Sequence, residues 1–150
     1  AVVDNPFKTG INTSNKVWEC ARYDAEEANV IWAGFWAVLK TAVPSGFNWV
    51  EIKYLRTNAT SQLKLKCEGA ITKEMDPVTP ASKTNEWETM VFDLTANGIL
   101  NVNVLGMFPD FYEPIDPTAV VYIDDIVFIK GDMARVQPLG HFDKASQCRR

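Results

Sequence analysis

Apolar and polar residues alternate with a period of two along much of this chain, and clusters of turn-forming residues interrupt the alternation. The clearest case is Leu63, Leu65 and Cys67 interleaved with Lys64, Lys66 and Glu68, which predicts a strand with one buried and one wet face. Residues 48–56 repeat it, with Val50, Ile52 and Tyr54 facing one way and Trp49, Glu51 and Lys53 the other. Residues 16–23 set Trp18 and Cys20 against Glu19 and Ala21, and residues 1–6 predict a short strand stopped by Asn5 and Pro6. Two more strands are predicted over 87–94 and 99–107, separated by the turn dipeptide Asn97-Gly98. A last one spans 120–130. Residues 75–86 and 108–118 are rich in Pro, Asn, Asp and Thr without periodicity, and predict loops.

The remaining stretch, residues 31–39, is apolar throughout. As a strand it puts Ile31, Ala33, Phe35, Ala37 and Leu39 on one face and Trp32, Gly34, Trp36 and Val38 on the other. The first face is expected in the core. On the second, two indoles flank a glycine that leaves room for a close neighbour, either the opposite sheet or a flat ligand. For Trp18 and Trp87 a core position is expected.

Nowhere does a helical spacing persist behind a capping residue. About eight short strands with turns between them predict an all-β protein, an antiparallel β-sandwich or barrel. A chain of 150 residues suits one domain, expected over residues 1–130, with 131–150 as a C-terminal tail able to add one strand. The net charge of -4, without a Lys/Arg cluster, argues against a nucleic-acid partner. No apolar run reaches the length of a membrane span, and no signal peptide is visible at Ala1. The three cysteines, Cys20, Cys67 and Cys148, are too scattered for a disulfide framework or a zinc site; Cys20 and Cys67 are expected as small buried hydrophobes, a bond between them remaining open.

Signs of catalysis are sparse. His141 is the one histidine, and it lies in the poorly patterned tail without a partner signature. Adjacent carboxylates such as Asp124 and Asp125 point to opposite faces of a regular strand, so they do not converge on one bond as glycosidase chemistry requires. A non-enzymatic protein is expected. Asp124 and Asp125 nonetheless interrupt an apolar strand, and one of them should point toward the interior or a sheet edge, where an unpaired carboxylate is costly. Either loop amides or a calcium ion would offset that cost, with Asp124, Asp4 and Asn5 as the candidate ligands. Aromatic residues supply the other candidate chemistry. Trp32, Trp36, Trp49, Tyr54, Phe111 and Tyr112 offer flat amphipathic rings suited to the C–H faces of sugars, and an exposed patch of them would mark a binding site.

Several segments together resemble a known family: Val2-Val3-Asp4-Asn5-Pro6-Phe7 running on to Ser14, Lys16-Val17, Trp32-Ala33-Gly34, Phe92-Asp93-Leu94, Phe108-Pro109-Asp110-Phe111 and Tyr122-Ile123-Asp124-Asp125-Ile126. Their order and spacing resemble the non-catalytic carbohydrate-binding modules with a galactose-binding-like jelly roll, found on secreted polysaccharide-degrading enzymes and surface glycan-binding proteins of bacteria. The resemblance covers residues 1–130. It implies a calcium-stabilised sandwich that binds a polysaccharide or oligosaccharide, is secreted or displayed at the cell surface, acts as a monomer and accompanies a catalytic domain in a parent chain. Asp124 matches a calcium-ligand position on the family's final strand. The family's usual first strand is missing upstream of Val2, and residues 139–145 are the candidate to replace it. The rival expectation is a structural or protein-binding sandwich, an adhesin or spacer, with sealed indoles; a jelly-roll lyase or hydrolase is the third.

Overall fold

The computed structural model describes residues 1–21 and 31–131. The expectations for residues 139–145 and for His141 lie outside them. The strands in chain order are β1 (Val2–Asp4), β2 (Lys16–Ala21), β3 (Phe35–Val43), β4 (Trp49–Arg56), β5 (Lys64–Glu68), β6 (Thr72–Met75), β7 (Glu88–Asp93), β8 (Val102–Phe108) and β9 (Val120–Ile129). They form a five-stranded sheet, β1-β2-β9-β4-β7, and a four-stranded sheet, β3-β8-β5-β6. Every pairing is antiparallel, so the fold is the expected β-sandwich. No helix among the described residues is long and apolar enough to cross a membrane.

Period-two alternation explains the layers. Val50, Ile52 and Tyr54 of β4, Met90 and Phe92 of β7, and Val121 and Ile123 of β9 meet Leu65 and Cys67 of β5 and Leu105 and Met107 of β8 in one core. Each fully buried aliphatic or aromatic side chain of this kind contributes about 1.5–3 kcal/mol. Cys20 packs against that core and Cys67 lies within it, both as free thiols. Burial pushes their thiols up to about 11 and about 12, so neither presents a reactive thiolate at neutral pH.

β6 was not expected, because its stretch reads as the approach to a loop. Thr72, Lys73 and Glu74 are exposed and only Met75 is buried. A charged edge strand paired on one side has little apolar pattern to show.

β9 corrects the reading of the two aspartates. Between Glu51 and Lys53 of β4 the register slips by one residue on β9, a β-bulge at which Asp125 takes a left-handed φ of 41°. The bulge shifts the alternation, so that Val121 and Ile123 before it and Ile126 and Phe128 after it all reach the core. Both carboxylates therefore stay on the outer side. Asp124 accepts a hydrogen bond from Asn12 Nδ2 at 3.0 Å, and Asp125 pairs with Lys53 Nζ at 2.5 Å. Neither is driven into the core.

Candidate functional site

The outer face of the four-stranded sheet is assembled across strands. Trp36 of β3, Gly106 of β8, Lys66 of β5 and Glu74 of β6 follow one another in register. Gly106 makes the floor: a Cβ placed there would lie 3.1 Å from Trp36 Nε1 and 3.2 Å from Lys66 Cβ, so the bare backbone lets the indole lie over β8. One step along, Phe108 pairs with Lys64. Its ring is buried beneath two indoles, with Trp32 at 5.4 Å and Trp36 at 5.5 Å, both edge to face. The two indole centroids are thus at most about twice that distance apart. Phe111 extends the cluster, 4.8 Å from Trp32 and 5.8 Å from Phe108, and Tyr112 adjoins Phe111 at 5.2 Å.

The loop that carries Phe111 and Tyr112 is pinned from beneath. Phe111 N donates to the Gln62 carbonyl at 3.1 Å, and Tyr54 OH donates to the Pro109 carbonyl at 2.8 Å. Of the rings in the cluster, Trp32 is 48% exposed, Trp36 50% and Tyr112 39%. Each such edge-to-face pair adds about 0.5–1.5 kcal/mol beyond area burial, which holds the rings in place without covering them.

Two lysines border the rings. Lys66 Nζ stands 5.9 Å from the Trp36 centroid and 3.0 Å from Glu68 Oε1. Lys64 Nζ stands 4.6 Å from the Phe111 centroid and donates to Asp76 Oδ1 at 2.9 Å and to Tyr112 OH at 3.2 Å. Tyr112 OH in turn donates to Asp76 Oδ1. Burial alone would push the Asp76 carboxyl up, but hydrogen bonds from Tyr112 and Lys64 outweigh it and hold the group below its ordinary value. Burial alone would push the Lys64 ammonium down; the bonds to Asp76 and Tyr112 outweigh that too and raise it. Tyr112 is raised by burial and by its bond to Asp76.

The expected site residues separate into two groups. Trp32, Trp36, Phe111 and Tyr112 come together, with Phe111 as a buried support and the other three as open rings. Trp49 and Tyr54 do not join them, which corrects their reading as platforms. Both lie in the five-stranded sheet, 4% and 0% exposed. Trp49 donates through Nε1 to the Gly131 carbonyl at 3.0 Å, and Tyr54 points into the core, where burial raises its phenol well above 10.0. Trp87 is sealed as expected, but Trp18 is 38% exposed, its ring edge-on to Phe35 at 4.9 Å. Gly34 makes room for neither the opposite sheet nor a ligand: a Cβ there would lie 2.2 Å from the Met107 carbonyl oxygen of β8.

The three expected calcium ligands are each engaged by the protein. Asp4 pairs with Lys16 at 2.7 Å, and Asn5 closes its own loop by accepting from Phe7 N and donating to the Ser14 carbonyl. Asp124 is met by Asn12, and the cavity of about 280 Å³ that Asp124 and Asp125 line also holds Lys16. Among the described residues no group of three or more His, Cys, Asp or Glu side chains is placed to hold a metal.

Gly106, Lys64 and Asp76 were not singled out as site residues from sequence, because they adjoin Trp36 and Tyr112 only through strand pairing and loop docking. In comparisons with known proteins, no family model and no curated protein matches the chain.

Proposed function

We propose that this β-sandwich is a non-catalytic module that binds a polysaccharide on the outer face of its four-stranded sheet, with Trp32, Trp36 and Tyr112 as the stacking rings. The carrying observation is a contiguous aromatic cluster, buried at Phe108 and Phe111, whose other three rings stand open to water. Leaving half an indole uncovered forgoes about 2 kcal/mol of burial, which a sugar ring laid on it would recover. Ordering a flexible glycan offsets most of that gain, so the affinity is modest. In this reading the module is the jelly-roll type its motifs resemble, and serves as a monomer that brings a secreted or surface-attached enzyme to its glycan.

The test is affinity electrophoresis and calorimetry of the full chain against a panel of plant, algal and microbial polysaccharides, with Trp32→Ala and Trp36→Ala beside the parent. Both variants are expected to lose most of the binding to the best glycan. Undiminished binding by both overturns the site. Failure of the parent to bind any member favours the protein-binding sandwich, and release of sugar products favours the enzyme.

A further inference from the structure

The charges around the rings bear on which polysaccharide fits. Both lysines beside the platform are matched by carboxylates, and in each pair the cation is the less exposed partner. The Lys64 side chain is 13% exposed against 54% for Asp76, and that of Lys66 is 23% against 33% for Glu68. The Lys64 ammonium is committed to Asp76, to the Tyr112 hydroxyl and to the face of Phe111. The Lys66 ammonium is committed to Glu68 and lies near the Trp36 ring. A further carboxylate, Glu74, stands exposed across from Lys66 on β6. Next to Trp36 and Tyr112 the lysines are therefore paired and the more exposed partners are carboxylates; the exposed Lys40 lies four residues along β3 from Trp36, beyond Val38.

Carboxylate oxygens form charge-assisted hydrogen bonds with hydroxyl donors and repel carboxylates and sulfates. A polyanionic chain would instead need cations free to meet its charges. Resting on the glycan reading above, we propose that this face selects an uncharged, hydroxyl-rich polysaccharide and rejects uronate-bearing or sulfated ones, with Asp76 as the specificity-determining residue. Asp76 has two functions here. It accepts hydroxyls of the sugar stacked nearest Tyr112, and it neutralises Lys64 so that the site does not attract acidic chains. Sugar rings unbroken by charge suit the Trp32 and Trp36 faces for the same reason.

Calorimetry of the full chain against neutral glucans, xylans and mannans and against polyuronates and sulfated galactans tests this directly. A neutral polysaccharide should bind, its affinity changing by less than about twofold between roughly 50 and 500 mM NaCl, because little net charge is screened. Asp76→Asn should weaken neutral binding about fivefold or more and create measurable binding to a polyuronate through the unmatched Lys64. A polyuronate or sulfated chain bound by the parent as tightly as the best neutral one overturns the selectivity and leaves the glycan reading standing. So does a steep loss of affinity with salt, a measurement that needs no variant. Binding to neither class overturns both.

Discussion

The two outer faces of the sandwich carry similar residues and treat them in opposite ways. On the five-stranded sheet, Val17, Leu55, Trp87 and Tyr122 form a second apolar cluster, with Val3, Phe7 and Val120 packed against it. The N-terminal loop lies over that cluster: Phe7 sits 6.0 Å from Tyr122, and the Phe7 carbonyl accepts from Trp87 Nε1 at 2.8 Å. Asn5 and Asn12 hold the loop in shape through their own side-chain bonds. On the four-stranded sheet Trp32, Trp36 and Tyr112 pack edge to face over Phe108 and Phe111, and among the described residues none closes over them to the same degree. An aromatic cluster is structural where its own chain covers it; the rings that the described residues leave open are the ones a ligand can use.

The comparison is broken most forcefully at Trp87. Trp87→Ala leaves a cavity under the N-terminal loop and should cost about 3–5 kcal/mol in denaturant unfolding, whereas Trp36→Ala should cost about 1 kcal/mol while lowering glycan affinity about tenfold or more. Equal stability losses at the two positions would mean the faces do not differ. Next is Gly34→Ala. With its Cβ forced against the Met107 carbonyl at 2.2 Å and Phe108 Cδ1 at 2.8 Å, the change should cost about 1–3 kcal/mol and disturb the ring cluster, read as lower affinity and altered tryptophan emission. Gly106→Ala is milder. Its Cβ meets the Trp36 indole at 3.1 Å, so the ring must tilt, and a several-fold drop in affinity with little loss of stability is expected.

The smallest effect is that of pH. The Asp76 carboxyl is held below 3.8 in the folded protein, so its contribution is present above 3.8 and is lost as pH falls through the lower folded value. The Lys64 ammonium is raised above 10.5, so its contribution is present below 10.5 and is lost as pH rises through the higher folded value. Unfolding midpoints of the parent relative to Asp76→Asn should therefore differ by a constant amount across neutral pH and converge at acid pH. A difference that persists unchanged into strong acid would show that the Lys64–Asp76–Tyr112 group adds nothing through charge.

Most strands, the layering and the exclusion of Trp87 from any surface role could be read from local pattern. Alternation over residues 63–68 and 50–54 places the same side chains inward in the structure. So does the parity of residues 31–39: the indoles at 32 and 36 share the more exposed side, though regular strand begins only at Phe35. Tyr54 shares the inward parity of Val50 and Ile52 and belongs to the core, while Trp49, on the opposite side of β4, is sealed by contacts that its own strand does not foretell, among them the bond to the Gly131 carbonyl. Asp124 and Asp125 demand a charge turned to the interior or a sheet edge only while β9 is taken as regular; the bulge adds a residue, as the apolar positions changing from odd numbers at 121 and 123 to even ones at 126 and 128 record.

Periodicity is a property of neighbours along the chain, and it suffices for most of the strands, for the two faces of a regular strand and for an all-β sandwich. Whether a given outer face is then covered depends on where a distant loop comes to rest. The Asn5 to Ser14 and Asn12 to Asp124 bonds that settle the N-terminal loop leave no trace in the alternation of β2, β4 or β9. The open ring cluster is likewise a product of registry between strands far apart in sequence: Gly106 under Trp36, Phe108 beside Lys64, and Asp76 brought to Tyr112. Those contacts are nonlocal, so they come into being only once the sheets have paired and packed.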